Sequence, residues 1–250
     1  LTGGQGFNTI EQFVSRAGGV LLVDKPGGWT SFDVVKKIRG TLRVKKVGHA
    51  GTLDPIATGL LILCSAGRTK NADAFQALDK TYEGGMRLGA VTPSHDADTE
   101  EQDHKPTEHI VPEHVRDVVT GFIGTIMQLP PMYSAVKVKG QRLYVLARKG
   151  IEIERALRQV RILRFDILDF ALPELRFRVE CSKGTYVRTL VHDIGAALGC
   201  GAYMTGLRRT AIGAFRVDEA WTVESIVQMT QARNSRTGAS EFGGERNPVA

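Results

Sequence analysis

The sequence predicts an α+β fold built on a mixed sheet, and three observations carry that expectation. Strand-like runs and helical stretches alternate irregularly, without the regular β-α-β alternation of a doubly wound parallel sheet. Hairpin-like stretches cluster in the later part of the chain. The 250 residues are 42% hydrophobic and 24% charged, which is ordinary globular composition and enough chain to bury a core. No internal repeat is visible.

Taken in order, residues 1–17 carry little pattern and read as an N-terminal extension. Residues 19–24 (Gly-Val-Leu-Leu-Val-Asp) form a compact apolar run with β-branched content, a strand. Lys25-Pro26-Gly27-Gly28 ends it in a turn. Thr30 or Ser31 then caps a helix whose apolar positions are Phe32, Val34, Val35 and Ile38. Gly48, Gly51 and Pro55 surround His49 and Asp54, so this segment reads as a loop, followed by a buried run over residues 57–65. Residues 80–88 alternate as a strand, interrupted by Gly84-Gly85. The acidic stretch 95–108 reads as an exposed loop. Residues 112–123 place Val115, Val118, Val119 and Phe122 on one side of a short helix. Two prolines keep Gln128-Leu129-Pro130-Pro131-Met132-Tyr133 out of any regular helix. Residues 161–170 and 174–181 are strands, the second alternating Leu175, Phe177, Val179 with Arg176, Arg178, Glu180. Residues 187–198 return to helical spacing. After about Thr230 the chain is polar and Gly-rich, the composition of a disordered tail.

The formal charge is +6 and the pI about 9.3, a modest excess that suits a polyanionic partner. Its distribution is uneven. Residues 25–46 hold seven Lys/Arg against Asp33 alone, and residues 137–164 hold nine against Glu152 and Glu154. Residues 95–117 reverse the sign, with eight acids against Lys105 and Arg116. One face meeting phosphates would produce this, and so would three solvated surface segments. Cys64, Cys181 and Cys200 form no CxxC pair, which disfavours a disulfide framework or zinc ribbon and fits a reducing compartment. No apolar run approaches the ~18–20 residues that span a bilayer. The chain starts at Leu1, so an upstream or removed targeting segment stays open.

Four elements hold groups able to do chemistry. His49-Ala50-Gly51-Thr52-Leu53-Asp54-Pro55 sets an acid and a histidine in one short segment. A lone aspartate works as nucleophile or base if something keeps it ionised; the plain alternative is a capping Asp and a satisfied His. Residues 181–188 lead through a Gly turn into a helix with Arg188 one turn in. That arginine would hold a carboxylate, or would simply face solvent. Tyr82 begins a strand and is either a half-buried aromatic or a platform for a base. Residues 128–144 interleave Tyr133 and Tyr144 with cations, as RNA contacts do. Phosphate-loop, dinucleotide-loop, HExxH and EF-hand patterns are absent.

Together these elements resemble the TruB family of pseudouridine synthases. The motifs are GVLLVDKPGGWTS at Gly19, VGHAGTLDPIATGLL at Val47, KTYEGGMRLGAVTPSHDADT at Lys80, PPMYSAVKVKGQRLYVLARKG at Pro130 and CSKGTYVRTLVHDIGAALGC at Cys181. They stand in family order over residues 19–222. The resemblance implies a pseudouridine-synthase core: a largely antiparallel mixed sheet, flanking helices and a central catalytic cleft. It implies conversion of uridine to pseudouridine in tRNA, at position 55 of the T loop, after the nucleotide flips out. Asp54 matches the catalytic aspartate, Tyr82 the tyrosine that stacks on the uracil, and Arg188 the arginine that pairs with the aspartate. His49 matches the histidine that refills the vacated space. Lys25 and Tyr186 fall beside the substrate. Residues 130–150 match an insertion that grips RNA, with Met132, Tyr133, Lys137 and Arg142 as contacts. The implied partner is the tRNA T-arm, with no cofactor, metal or membrane, and the protein acts as a monomer. The catalytic domain is expected over residues 18–229, with residues 230–250 as tail. The 25 residues after Ser225 are too few for the PUA domain common in the family, which argues against a guide-RNA particle. The compartment is cytoplasmic, or an organelle matrix or nucleus if a targeting segment has been removed. The competing function is a non-catalytic RNA-binding or RNA-folding protein on the same scaffold.

Overall fold

The computed structural model describes residues 8–134, 137–138, 140–147 and 149–239. The chain divides into two compact units, one made of the residues up to Gln76 together with those from Arg216 onward, the other of Ala77–Phe215.

The first unit runs through α1 (Ile10–Val14), β1 (Val20–Lys25), α2 (Ser31–Thr41), β2 (Val47–Ala50) and β3 (Thr58–Ser65). A 3-10 turn and α3 (Ala72–Ala77) follow. The second unit contains β4 (Lys80–Leu88), α4 (Pro112–Gly121), β5 (Gly124–Gln128), β6 (Lys137–Val138), β7 (Gln141–Arg142) and α5 (Leu143–Ala147). It continues with β8 (Arg158–Ala171), β9 (Glu174–Cys181), α6 (Val187–Ala197) and β10 (Ala202–Ile212). The chain then passes through β11 (Phe215–Arg216) to β12 (Trp221–Thr222) and α7 (Val223–Ala239) in the first unit.

In the first unit β1 pairs antiparallel with β3 and parallel with β12, and β2 pairs antiparallel with β3 on its other side. Leu21, Val23, Leu61 and Leu63 lie on the same sheet face and pack with Val34, Val35 and Ile38 of α2 and with Val223 and Ile226 of α7. Each such side chain contributes roughly 1.5–3 kcal/mol when fully buried. α2 starts where the sequence places it. The Thr30 hydroxyl accepts from the Asp33 N–H at 3.1 Å, and the Asp33 carboxylate accepts from the Thr30 N–H at 2.9 Å. This reciprocal pair satisfies two donors that the first helical turn leaves without intrahelical partners.

The second unit is antiparallel throughout its main sheet, in the order β10-β4-β9-β8-β5. With one parallel pair in the first unit, the pairing is mixed and largely antiparallel, and the fold is α+β as expected. On β9, Leu175, Phe177 and Val179 are buried while Arg176 and Arg178 are exposed, so the alternation in the sequence reports the sheet's two faces. α6 packs on β10 so closely that Gly195 touches the Gly201–Ala202 backbone; a Cβ there would stand 2.1 Å from the Ala202 nitrogen.

Several expectations change. The N-terminal segment is not a featureless extension, because Ile10 and Phe13 of α1 are buried in the first unit's core. His49 lies on β2, opposite Leu63 of β3, rather than in a loop. α7 runs through Ala239, well past residue 230 where composition places a tail. Residues 240–250 lie outside the described residues, as do residues 1–7 of the extension.

The Gly84-Gly85 pair also acquires a reason. A Cβ on Gly84 would stand 2.7 Å from the Phe177 ring and 2.8 Å from the Gly206 carbonyl oxygen, and one on Gly85 2.5 Å from the Thr205 hydroxyl. The pair lets neighbouring strands close over β4, and Phe177 stacks on Phe165 with ring centroids 5.2 Å apart. Gly84→Ala is therefore expected to destabilise the protein by about 1–3 kcal/mol, the usual cost of overpacking. Urea unfolding measures it, and an unchanged midpoint would contradict this packing.

Candidate active site

Asp54 sits in the irregular segment between β2 and β3 and is partly buried. The residues on both sides of it are tied to the β1–α2 turn. The Leu53 N–H donates to the Ser31 hydroxyl at 2.9 Å, and that hydroxyl reaches the Leu53 carbonyl at 3.3 Å. On the other side, the Pro55 carbonyl accepts from the Gly28 N–H at 2.9 Å and from Lys25 Nζ at 3.2 Å. Lys25 is fully buried, and its ammonium also donates to the carbonyls of Pro26, at 2.9 Å, and Trp29. Gly28 turns the chain with φ +76°, a conformation that favours glycine. The motif KPGGWTS is thus a clamp for the Asp54 segment. Lys25, expected beside the substrate, is buried here with its ammonium on backbone carbonyls of this turn.

In the second unit, Tyr82 is on β4, buried to 8% exposure and facing the same side as Met86 and Leu88. Arg188 lies in the first turn of α6 and is 4% exposed. Its guanidinium donates to the Ser94 carbonyl at 3.0 Å and to the Tyr133 carbonyl, and pairs with Asp96 Oδ2 at 3.4 Å. Asp96 is itself 2% exposed. So the acidic stretch, expected to lie exposed throughout, begins with a buried carboxylate that orients the arginine. Sequence reading missed Asp96. The available signal is its place in the run Ser94-His95-Asp96 inside the Lys80 motif, ahead of the exposed acids that follow.

One turn along α6, His192 stacks on His95 with ring centroids 4.0 Å apart and planes within 11°. Burial first, then the charges of His192, Arg188 and Arg155, push the His95 imidazole down to about 3, so it stays neutral beside the guanidinium.

Tyr186 caps α6 with its backbone. Its N–H donates to Gln128 Oε1 at 2.7 Å, and Gln128 Nε2 donates to its carbonyl at 3.1 Å. Gln128, given no role of its own by the sequence, is 2% exposed and aligns the helix that carries Arg188. Met132 and Tyr133 are partly buried, and it is Tyr133's carbonyl that is committed to Arg188. Lys137 and Arg142 are Cα partners across the β6–β7 hairpin. Residues 135, 136, 139 and 148 of the expected RNA-gripping insertion lie outside the described residues.

Among the described residues no cluster of His, Cys, Asp and Glu could hold a metal ion, and no helix is long and apolar enough to cross a membrane. The chemistry on offer is a clamped carboxylate in one unit and, in the other, a buried guanidinium on α6 and a buried tyrosine on β4.

Two family models match the chain. The model of the TruB family pseudouridylate synthase N-terminal domain covers residues 39–187, and that of the tRNA pseudouridylate synthase B C-terminal domain covers residues 188–240. They meet at the start of α6, inside the span read from sequence as one catalytic domain. A protein of Opitutus terrae named tRNA pseudouridine synthase B is 50% identical over 208 residues, covering 83% of this chain and 86% of that one. One of the same name from Chlorobaculum tepidum is 47% identical over 225 residues, covering 88% and 94%. Among solved structures, a chain of a Cbf5-Nop10-Gar1 complex superposes with a TM-score of 0.72 at 31% identity. That match covers 93% of this chain but 61% of the other, so the protein spans about three-fifths of the solved chain's length.

The Arg188–Asp96 pair makes a prediction. Asp96→Ala leaves a buried guanidinium without this carboxylate, and loss of one partner of a buried pair costs about 3–5 kcal/mol. Urea denaturation is the measurement, and a loss below about 1 kcal/mol would show that Asp96 does not hold the arginine.

Proposed function

Because the chain belongs to the TruB family of pseudouridylate synthases, which are isomerases, we propose that it converts a uridine of tRNA to pseudouridine at position 55 of the T loop, with Asp54 as the catalytic carboxylate. The observation that carries this reading is the clamp on both neighbours of Asp54. A reacting carboxylate needs a fixed approach to its target, and a segment tied down at Leu53 and Pro55 supplies one. The names of the curated relatives support tRNA as the substrate.

The target base lies inside a folded loop and must be extruded to be reached, at a cost of a few kcal/mol. In the proposed complex His49 refills the space left behind and Tyr82 stacks on the extruded uracil, together offsetting that cost. The family role carried over to Arg188 is that of the arginine paired with the catalytic aspartate, and a guanidinium in that role favours the charged carboxylate. The N1–C1′ bond breaks with the help of the carboxylate, the uracil turns, and a C5–C1′ bond forms. The proton on C5 leaves, with Tyr82 as its acceptor, and N1 gains one, so product and substrate have the same composition. The reaction as written calls for no external oxidant, reductant or group donor.

The C5 proton gives the test. With tRNA carrying [5-³H]uridine, the protein is expected to release tritium, and Asp54→Asn is expected to abolish release while tRNA affinity stays within severalfold. Tight binding without release by the wild-type protein would mark a non-catalytic RNA binder. Substantial turnover by Asp54→Asn would remove Asp54 from its role. Arg188→Ala should lower the rate more than the affinity; a defect in affinity alone would assign Arg188 to phosphate.

A further inference from the structure

α2 divides sharply into two faces. Val34, Val35 and Ile38 enter the first unit's core, while Phe32, Lys36, Lys37 and Arg39 are exposed on the other side. Phe32 is 68% exposed, the most of any exposed large hydrophobic side chain among the described residues. Phe32 and Lys36 are four residues apart and Arg39 three further, so they form one stripe along the helix. The stripe borders an open groove of about 630 Å³ lined by Gly28, Trp29, Lys36, Lys37, Gly40 and other α2 residues. One acid, Asp33, also lines the groove; it accepts from the hydroxyl and the N–H of Thr30, which hold its carboxyl below the usual range. Over residues 25–46 the seven cations face that single acid.

The stripe starts at the Asp54 clamp. Gly28, at one end of the groove, donates to the Pro55 carbonyl, and Phe32 directly follows Ser31, which holds Leu53. We propose that this face of α2 binds the RNA strand flanking the target uridine, with one unpaired base stacked on Phe32 and successive phosphates on Lys36, Lys37 and Arg39. The inference rests on the RNA-modifying reading above and extends it to a second contact surface. Charge selects the occupant. A second copy of this chain would bring cations against cations, and one phenylalanine is too small an apolar area to anchor a membrane. An aromatic beside a row of cations fits a polymer with a planar base and a phosphate in every unit.

The test uses the full chain and an unmodified tRNA transcript, with binding followed by fluorescence anisotropy across a salt series. Phe32→Ala should weaken binding at least about fivefold, as loss of one base stack does, without changing the salt dependence. The double variant Lys36→Gln/Lys37→Gln should weaken binding and reduce the slope of log affinity against log salt by about 1.5, the release expected for two phosphates. All these positions are exposed, so the thermal midpoints should match the wild type's. If the wild type releases tritium and both variants bind with its affinity and slope, this inference fails and the function stands. A wild type that neither binds nor modifies tRNA overturns both. Unchanged tRNA binding, with loss only of self-association in sedimentation or of capture by phosphatidylserine vesicles, also overturns it.

Discussion

Everything proposed for this protein depends on a backbone clamp. Asp54 belongs to no helix or strand, and such a segment wanders unless its polar groups are tied down. Here the ties come from one short turn, with Ser31 on Leu53 and with Gly28 and Lys25 on Pro55. Lys25 binds these carbonyls from a fully buried position, which requires that its charge be well solvated by them. The clamp is local to the first unit and is built from residues 22 to 30 positions away in sequence.

The second unit shows a similar economy. Arg188 has no freedom to sweep solvent; two carbonyls and the Asp96 carboxylate hold it, and a neutral His95 lies close by without adding charge. Gln128 ties the N-terminal end of the helix that carries it. A guanidinium fixed in this way can favour charge on a substrate or partner carboxylate without paying reorganisation when it does so.

How far the sequence revealed this follows from the range of each signal. β4 and β9 were legible because alternation is a property of consecutive residues, and α2 because its capping residues sit beside its first turn. α1 was hidden because five residues are too short for a helical period to emerge, although Ile10 and Phe13 are spaced for one face. His49 and Ala50 of β2 read as loop because Gly48 and Gly51 flank them and two residues of strand carry too little alternation to answer. The proposed site residues Asp54, Tyr82 and Arg188 stand out through the family resemblance, since nothing in their own neighbourhoods separates a reacting group from a capping or surface one. Lys25, Asp96 and Gln128 owe their roles to burial and to partners far along the chain. The same holds for Gly84-Gly85, whose purpose lies in Phe177 and Thr205.

The most direct measurement is nucleotide-resolution mapping of an unmodified tRNA transcript after incubation with the pure protein, by carbodiimide-dependent arrest of reverse transcription. The account predicts one new arrest, at the T-loop uridine, and none when Asp54 is replaced by Asn. An unmodified transcript, or a T-loop uridine lost as free uracil, would contradict it.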